Sequence, residues 1–283
     1  MHHLDGKTVV ITGSTRGLGR AYALAAAREG ASVVVNGRSS AAVAEVVAEI
    51  EAAGGIAVGH PGDVADLATA KAIVQTSVER FGSLDGLVTN AALAARRADP
   101  WHHSAEEVND ILRVNTMGTM FLTMAALDRM VEQGGGSVVT VISRAVMGIK
   151  QTALYGASKG AVASWTYGLA LDLDGTGVRI NGLSPTAQTG MSAPVPGRIL
   201  PEPESAAPMV VYLLSDLSTG VTGKIFRIMG TQITTLAPPR YHPSLEAESW
   251  TAEAIAAAVE NELREQLEDA ERTTHYPESA KLR

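Results

Sequence analysis

The chain has 283 residues, 46% of them hydrophobic and 4% aromatic, with no cysteine and a formal charge of −7 at pH 7. Such a length and apolar content support a large core without staples; the acidic balance argues against nucleic acid as a partner, and the missing thiols exclude disulfides, zinc thiolates and thiol catalysis. No segment reaches the ~18 uninterrupted apolar residues of a membrane helix, and the opening MHHLDGKTVVITG lacks a signal core, so a cytoplasmic protein with no membrane partner is expected.

Strand-like runs alternate with helical patterns from the start: KTVVIT at 7–12, a helix over 17–29, ASVVVN at 31–36, a helix over 40–52, IAVGH at 56–60, a helix over 65–81 and LDGLVTN at 84–90. Strands rich in Val and Ile on both faces, separated by helices, predict βαβ units and a parallel sheet covered on two sides. Ser39 or Ser40 suits the cap of the second helix, and Gly30 and Gly54-Gly55 suit helix stops. A long helix is predicted over 104–132, ending at Gly134-Gly135-Gly136, followed by a strand at 137–143 and a helix over 153–174. A strand at 178–184, a helix over 203–215 and a strand at 223–230 complete the pattern.

These elements predict an α/β chain with a doubly wound Rossmann fold, a seven-stranded parallel sheet flanked by helices. Residues 1–236 read as a single Rossmann-fold domain, and 237–283 as an extension. The extension opens with the Pro-rich LAPPRYHPS and carries one charged helix over 251–272.

The first βα turn reads Thr12-Gly13-Ser14-Thr15-Arg16-Gly17-Leu18-Gly19. Glycines there let the backbone turn sharply and let a pyrophosphate approach the helix N-terminus. At the end of the second strand, where dinucleotide sites usually hold the ribose with an acid, the residues are Asn36-Gly37-Arg38. Without a carboxylate to repel a 2′-phosphate, and with Arg16 and Arg38 able to fork onto it, NADP(H) is the better electrostatic fit. Farther on stand Ser143 and the run Tyr155-Gly156-Ala157-Ser158-Lys159. Tyr155 and Lys159 lie four apart on one helix face, so the ammonium can favour the phenolate. Ser143 ends a strand at the carboxyl edge, where its hydroxyl can hold a substrate oxygen.

The conjunction of turn, serine and YxxxK resembles the short-chain dehydrogenase/reductase family over about residues 5–236. The resemblance implies an Asn-Ser-Tyr-Lys tetrad of Asn115, Ser143, Tyr155 and Lys159, in which Tyr155 is the acid/base and Asn115 holds a water. It further implies a cofactor site built from Gly13 to Gly19, Arg38, Asp63 and Val64 in GDV, and Asn90 and Ala91 in TNAA. Tyr155, Lys159, Pro185 and Thr189 complete that site, with Ile180 in the segment along the nicotinamide. Homodimers or homotetramers through the helices at 104–132 and 153–174 are likewise implied. Departures are TNAA for the common NNAG, twelve residues rather than thirteen between Ser143 and Tyr155, and a shortened Pro185 to Thr189 segment.

The Pro-rich segment from Gly190 to Pro201 predicts a short, stiff lid and an open mouth for bulky, hydroxysteroid-like or carrier-linked carbonyls. Ala145, Val146, Met147, Leu154, Met191 and Ile199 are its candidate lining. His102-His103 are adjacent and do not share a helix face, so no metal is expected. The leading function is an NADP(H)-dependent ketoreductase or alcohol dehydrogenase; a same-fold lyase or epimerase and a silent NADP(H)-sensing protein are the alternatives. The intact Tyr155 and Lys159 argue against the last, and the absence of a long substrate domain against the second.

Overall fold

The computed structural model describes residues 2–190, 199–241 and 243–264. Strands β1 (Thr8–Ile11), β2 (Ser32–Gly37) and β3 (Ile56–Pro61) alternate with helices α1 (Gly17–Arg28), α2 (Ser40–Ala52) and α3 (Leu67–Phe81). Then come β4 (Gly86–Thr89), α4 (Ala105–Leu112), α5 (Gly118–Glu132), β5 (Gly136–Val141), α6 (Ala153–Asp172), β6 (Val178–Pro185), α7 (Ala207–Leu214), β7 (Ile225–Met229) and β8 (Gln232–Leu236). Short polar side chains start several helices by accepting an orphan amide: Ser39 from Ala42, Asp66 from Thr69 and Ser104 from Glu107.

The sheet order is β3-β2-β1-β4-β5-β6-β7-β8, parallel from β3 through β7. This is a doubly wound Rossmann fold. Alternate residues of each strand enter opposite cores. Val9, Ile11, Val33 and Val35 pack with Tyr22, Val46 and Leu213 from α1, α2 and α7. Val10, Val34 and Leu87 pack with Ile73, Leu122 and Met130 from α3 and α5. Strands buried on both faces are therefore apolar throughout rather than alternating. The chain reverses its direction of winding between β1 and β4, and open α/β sheets bind ligands at the carboxyl ends of such strands.

Two expectations need correction. The sheet has eight strands rather than seven, and the eighth is antiparallel to β7. A two-residue turn at Gly230-Thr231, with Gly230 at φ 57°, folds Gln232–Leu236 back onto the edge. Four of the five β8 residues are exposed, so it lacks the continuous apolar run of the central strands. The helix predicted over 104–132 is interrupted: a π-helical turn at Arg113–Met117 separates α4 from α5. Helical periodicity does not reveal one inserted residue per turn.

The chain divides into two compact units, residues 1–236 and 237–283. In the second unit, α8 (Ala252–Ala258) is capped by Thr251, whose hydroxyl accepts from the Ala254 amide at 3.2 Å. A π-helical turn at Val259–Leu263 follows, and Arg264 pairs with Glu260. The remainder of the predicted helix to 272 lies outside the described residues. Among the described residues no helix is long and apolar enough to cross a membrane.

Candidate active site

The turn after β1 is held by side chains of its own and of the strands beside it. Ser14 is fully buried; its hydroxyl donates to the Ile11 carbonyl at 2.7 Å and accepts from the Asn36 amide at 3.0 Å. Asn90 donates its side-chain amide to the Thr12 and Gly13 carbonyls at 3.0 and 3.1 Å. Thr12 returns the favour, its hydroxyl accepting from the Asn90 and Ala91 amides. Gly13 sits at φ 60°, and a Cβ there would lie 2.8 Å from Ala91 Cα, so a side chain is excluded.

Over this turn lies a cavity of about 490 Å³. Of the predicted cofactor residues, Gly13, Thr15, Arg16, Gly17, Leu18 and Gly19 line it from one side. Arg38, Asp63, Val64, Asn90, Ala91 and Thr189 line it from the others. Ser14, Tyr155, Lys159 and Pro185 are not on its wall; Pro185 ends β6 opposite Ile228. Ile180 is a correction, because it lies fully buried near the start of β6, inside the core rather than at the carboxyl edge. The N-terminus of α1 has no side-chain cap, and its first residues, Gly17, Leu18 and Gly19, line the cavity. An uncapped helix start, a close backbone and two exposed guanidiniums, Arg16 and Arg38, fit the phosphates of a dinucleotide.

The end of β2 explains the missing acid. Asn36 is buried and donates to the His60 and Gly62 carbonyls at 3.0 and 3.3 Å, tying β2 to β3. At Gly37 a Cβ would fall 2.5 Å from Thr15 Cγ2. Asp63 is bound on both oxygens, Oδ1 by the Ala65 amide at 3.0 Å and Oδ2 by Arg113 Nη1 at 2.8 Å. Partial burial pushes its carboxyl up, but the Ala65 amide, the Arg113 guanidinium and the charge of Arg38 together hold it below the usual carboxylate range.

The residues of the expected tetrad lie on the π-helical turn (Asn115), just past the end of β5 (Ser143) and on α6 (Tyr155 and Lys159). Asn115 is fully buried; its Oδ1 accepts from the Leu93 amide at 2.7 Å, and its Nδ2 donates to the Leu93 carbonyl at 3.0 Å and to Ser158 Oγ at 3.1 Å. Ser158 in turn donates to the Tyr155 carbonyl at 2.8 Å. Ser143 starts a short 3-10 turn, Arg144–Met147, its hydroxyl accepting from the Ala145 amide at 3.2 Å. Gly156 lets α6 settle on that turn, for a Cβ there would lie 2.7 Å from the Ala145 carbonyl oxygen. Between them Gly148 and Gln151 both take positive φ, 82° and 62°, which tightens the shortened Ser143–Tyr155 connection. Lys159, 1% exposed, donates from Nζ to the Val141 carbonyl at 2.8 Å.

The electrostatics of Tyr155 and Lys159 differ from the expectation. Burial pushes the Tyr155 phenol up, and no cationic neighbour is among the causes of its shift. Burial also lowers the Lys159 ammonium from 10.5 to about 8. In both groups desolvation of the charged form outweighs the i,i+4 pairing that the sequence suggested.

Two residues of the site were not anticipated. Ser158, fully buried, couples Asn115 to α6; its place one turn after Tyr155 on the same face is the signal that marks it. Arg113 has no local signal, because its partner Asp63 is 50 residues away. Of the predicted substrate wall, Ala145 is buried, Val146 and Leu154 are half-buried, and Met147 and Ile199 are exposed. Met191 and the lid residues through Arg198 lie outside the described residues. His103 pairs with Glu107 at 2.9 Å, and Trp101 meets the ring of His102 edge-on. Among the described residues no group of three or more His, Asp or Glu is placed to hold a metal.

The sequence profile of the short chain dehydrogenase family matches residues 7–196. The L-rhamnose 1-dehydrogenase (NAD(P)(+)) of Sphingomonas sp. strain SKA58 is 35% identical over 258 residues, covering 83% of this chain and all of the relative. A hydroxyacyl-CoA dehydrogenase of Mycobacterium tuberculosis is 35% identical over 281 residues, covering 90% and 88%. The crystal structure of a short chain dehydrogenase from Mycobacterium avium superposes with a TM-score of 0.81 at 32% identity, covering 97% and 98%. The chain belongs to the short-chain dehydrogenase family, a class of oxidoreductases.

Proposed function

We propose that the chain is an NADP(H)-dependent ketoreductase or alcohol dehydrogenase whose chemistry rests on Asn115, Ser143, Tyr155 and Lys159. The cofactor half is carried by one observation: Arg16 and Arg38 stand on the cavity wall where β2 ends in Gly37 instead of a carboxylate. A guanidinium forks onto phosphate with charge-assisted bonds, whereas an acid would repel it. The amides of the Gly13–Gly19 turn would hold the pyrophosphate, Asp63 and Val64 would hold the adenine end, and Asn90, Ala91, Pro185 and Thr189 would hold the nicotinamide end.

Bound there, the nicotinamide supplies or accepts the hydride. Tyr155 gives its phenolic proton to the carbonyl oxygen in reduction and takes it back in oxidation, while the Ser143 hydroxyl steadies the developing charge. Lys159, with a pKa of about 8, is still mostly protonated at pH 7, and its ammonium, bonded to the Val141 carbonyl, would help to hold the nicotinamide ribose. Asn115 braces the start of α6 through Ser158. Relatives named for a hydroxyacyl-CoA and for L-rhamnose support a secondary alcohol or its carbonyl, and a bulky or carrier-linked carbonyl is the substrate class we favour.

Self-association belongs to the same reading. Met117, Met124 and Val131 repeat every seventh residue along one side of α5 and its lead-in turn, 44, 50 and 43% exposed. A homodimer or homotetramer buries them, and light scattering of Met124→Glu tests it. For the reaction, NADPH oxidation is followed across β-keto thioesters, steroid ketones, cyclic ketones and quinones. Tyr155→Phe abolishes turnover while NADPH still binds, and Arg38→Ala weakens NADPH more than NADH. Unchanged turnover in the first variant removes Tyr155 from its role, and equal losses in the second refute the phosphate site.

A further inference from the structure

Arg113 belongs to no motif, yet the fold sets its guanidinium against the carboxylate of Asp63 at 2.8 Å. Asp63 shares the cavity wall with Arg38, and the charge of Arg38 reaches it. Two guanidiniums therefore compete for one carboxylate, and Arg113 holds it. Arg38 forms no ion pair among the described residues. The Ala65 amide fixes the other carboxylate oxygen, so the Asp63 side chain is turned toward Arg113 and kept there.

We propose that Arg113 is a specificity-determining positioning residue: by occupying Asp63 it leaves Arg38 unpaired for the 2′-phosphate of an adenosine ribose. The inference rests on the reading of the cavity as an NADP(H) site. The charge arithmetic is local. Without Arg113, Asp63 is a bare carboxylate beside Arg38, where it both repels a phosphate dianion and offers Arg38 an internal partner. The pair is only half-shielded, with side chains 43% and 36% exposed, so the effect on affinity is modest, about two- to fivefold. It falls on 2′-phosphorylated nucleotides alone, because a ribose with a free 2′-hydroxyl makes no demand on Arg38.

Calorimetric titration with 2′,5′-ADP and with 5′-AMP measures this without turnover. The readout is the ratio of the two affinities, from which any change in adenine binding cancels. Arg113→Met lowers the ratio about two- to fivefold relative to the unmodified protein. Asp63→Asn leaves the ratio unchanged or raises it. The double variant R113M/D63N restores the original ratio, since no carboxylate remains to capture Arg38. A double variant as poor as R113M overturns the proposal, because Arg113 then acts on the phosphate by its own charge. An unchanged ratio in R113M, or a lowered one in D63N, overturns it too. Failure of the underlying cofactor reading looks different: the unmodified protein then binds both nucleotides equally, and Arg38→Ala changes nothing.

Discussion

Lys159→Met probes how the fold holds an ammonium inside its core. Lys159 is 1% exposed, and burial lowers its pKa from 10.5 to about 8. Below pH 8 the side chain is charged in both folded and unfolded chains, and the folded state carries the whole desolvation cost. Between pH 8 and 10.5 the folded form sheds its proton while the unfolded form keeps it, so the cost is relieved and stability rises. A pKa moved from 10.5 to about 8 corresponds to about 3 kcal/mol. Methionine has similar length and no charge, but it leaves the Val141 carbonyl without its donor, which takes back about 1 kcal/mol. The variant is therefore expected to be about 2 kcal/mol more stable at pH 7, roughly 5 °C in Tm, and to lose that advantage by pH 10.5. Urea unfolding followed by tryptophan fluorescence at pH 7, 8.5 and 10.5, at one protein concentration, measures the difference. A gap independent of pH, or a variant less stable at pH 7, refutes the assignment of burial as the dominant effect. Reductase activity is lost in the same variant.

Three further outcomes are expected. Gly156→Ala forces a Cβ to within 2.7 Å of the Ala145 carbonyl oxygen and pushes α6 off the Ser143 turn, so turnover drops about tenfold or more while NADPH titration changes little; full turnover contradicts that geometry. Tyr22 is fully buried with a hydroxyl that has no hydrogen-bond partner among the described residues, and burial raises its pKa, so Tyr22→Phe leaves Tm unchanged or raises stability by about 1 kcal/mol. A marked loss of Tm shows that the hydroxyl contributes. The pH profile of kcat/KM for NADPH reports free-enzyme groups and falls above about pH 8 as Lys159 loses its proton; a flat profile to pH 9.5 removes Lys159 from that limb.

Local signals in the sequence determined most of the parallel sheet and the cofactor turn. Apolar runs such as VVVN and VVTV are strands wherever they pack, and Gly13 and Gly19 stand where a Cβ would strike Ala91 and the Gly13 carbonyl. Tyr155 and Lys159 are legible because a single helix fixes their spacing. Tertiary structure alone decided the rest, since each remaining feature depends on a partner distant in sequence. β8 exists because the edge of β7 accepts it, Asn115 is defined by Leu93 and Ser158, and Arg113 by Asp63. The titration of Lys159 was decided the same way: spacing places it near a phenol, but only packing says how much water is left around its charge, and desolvation acts on whatever the fold encloses.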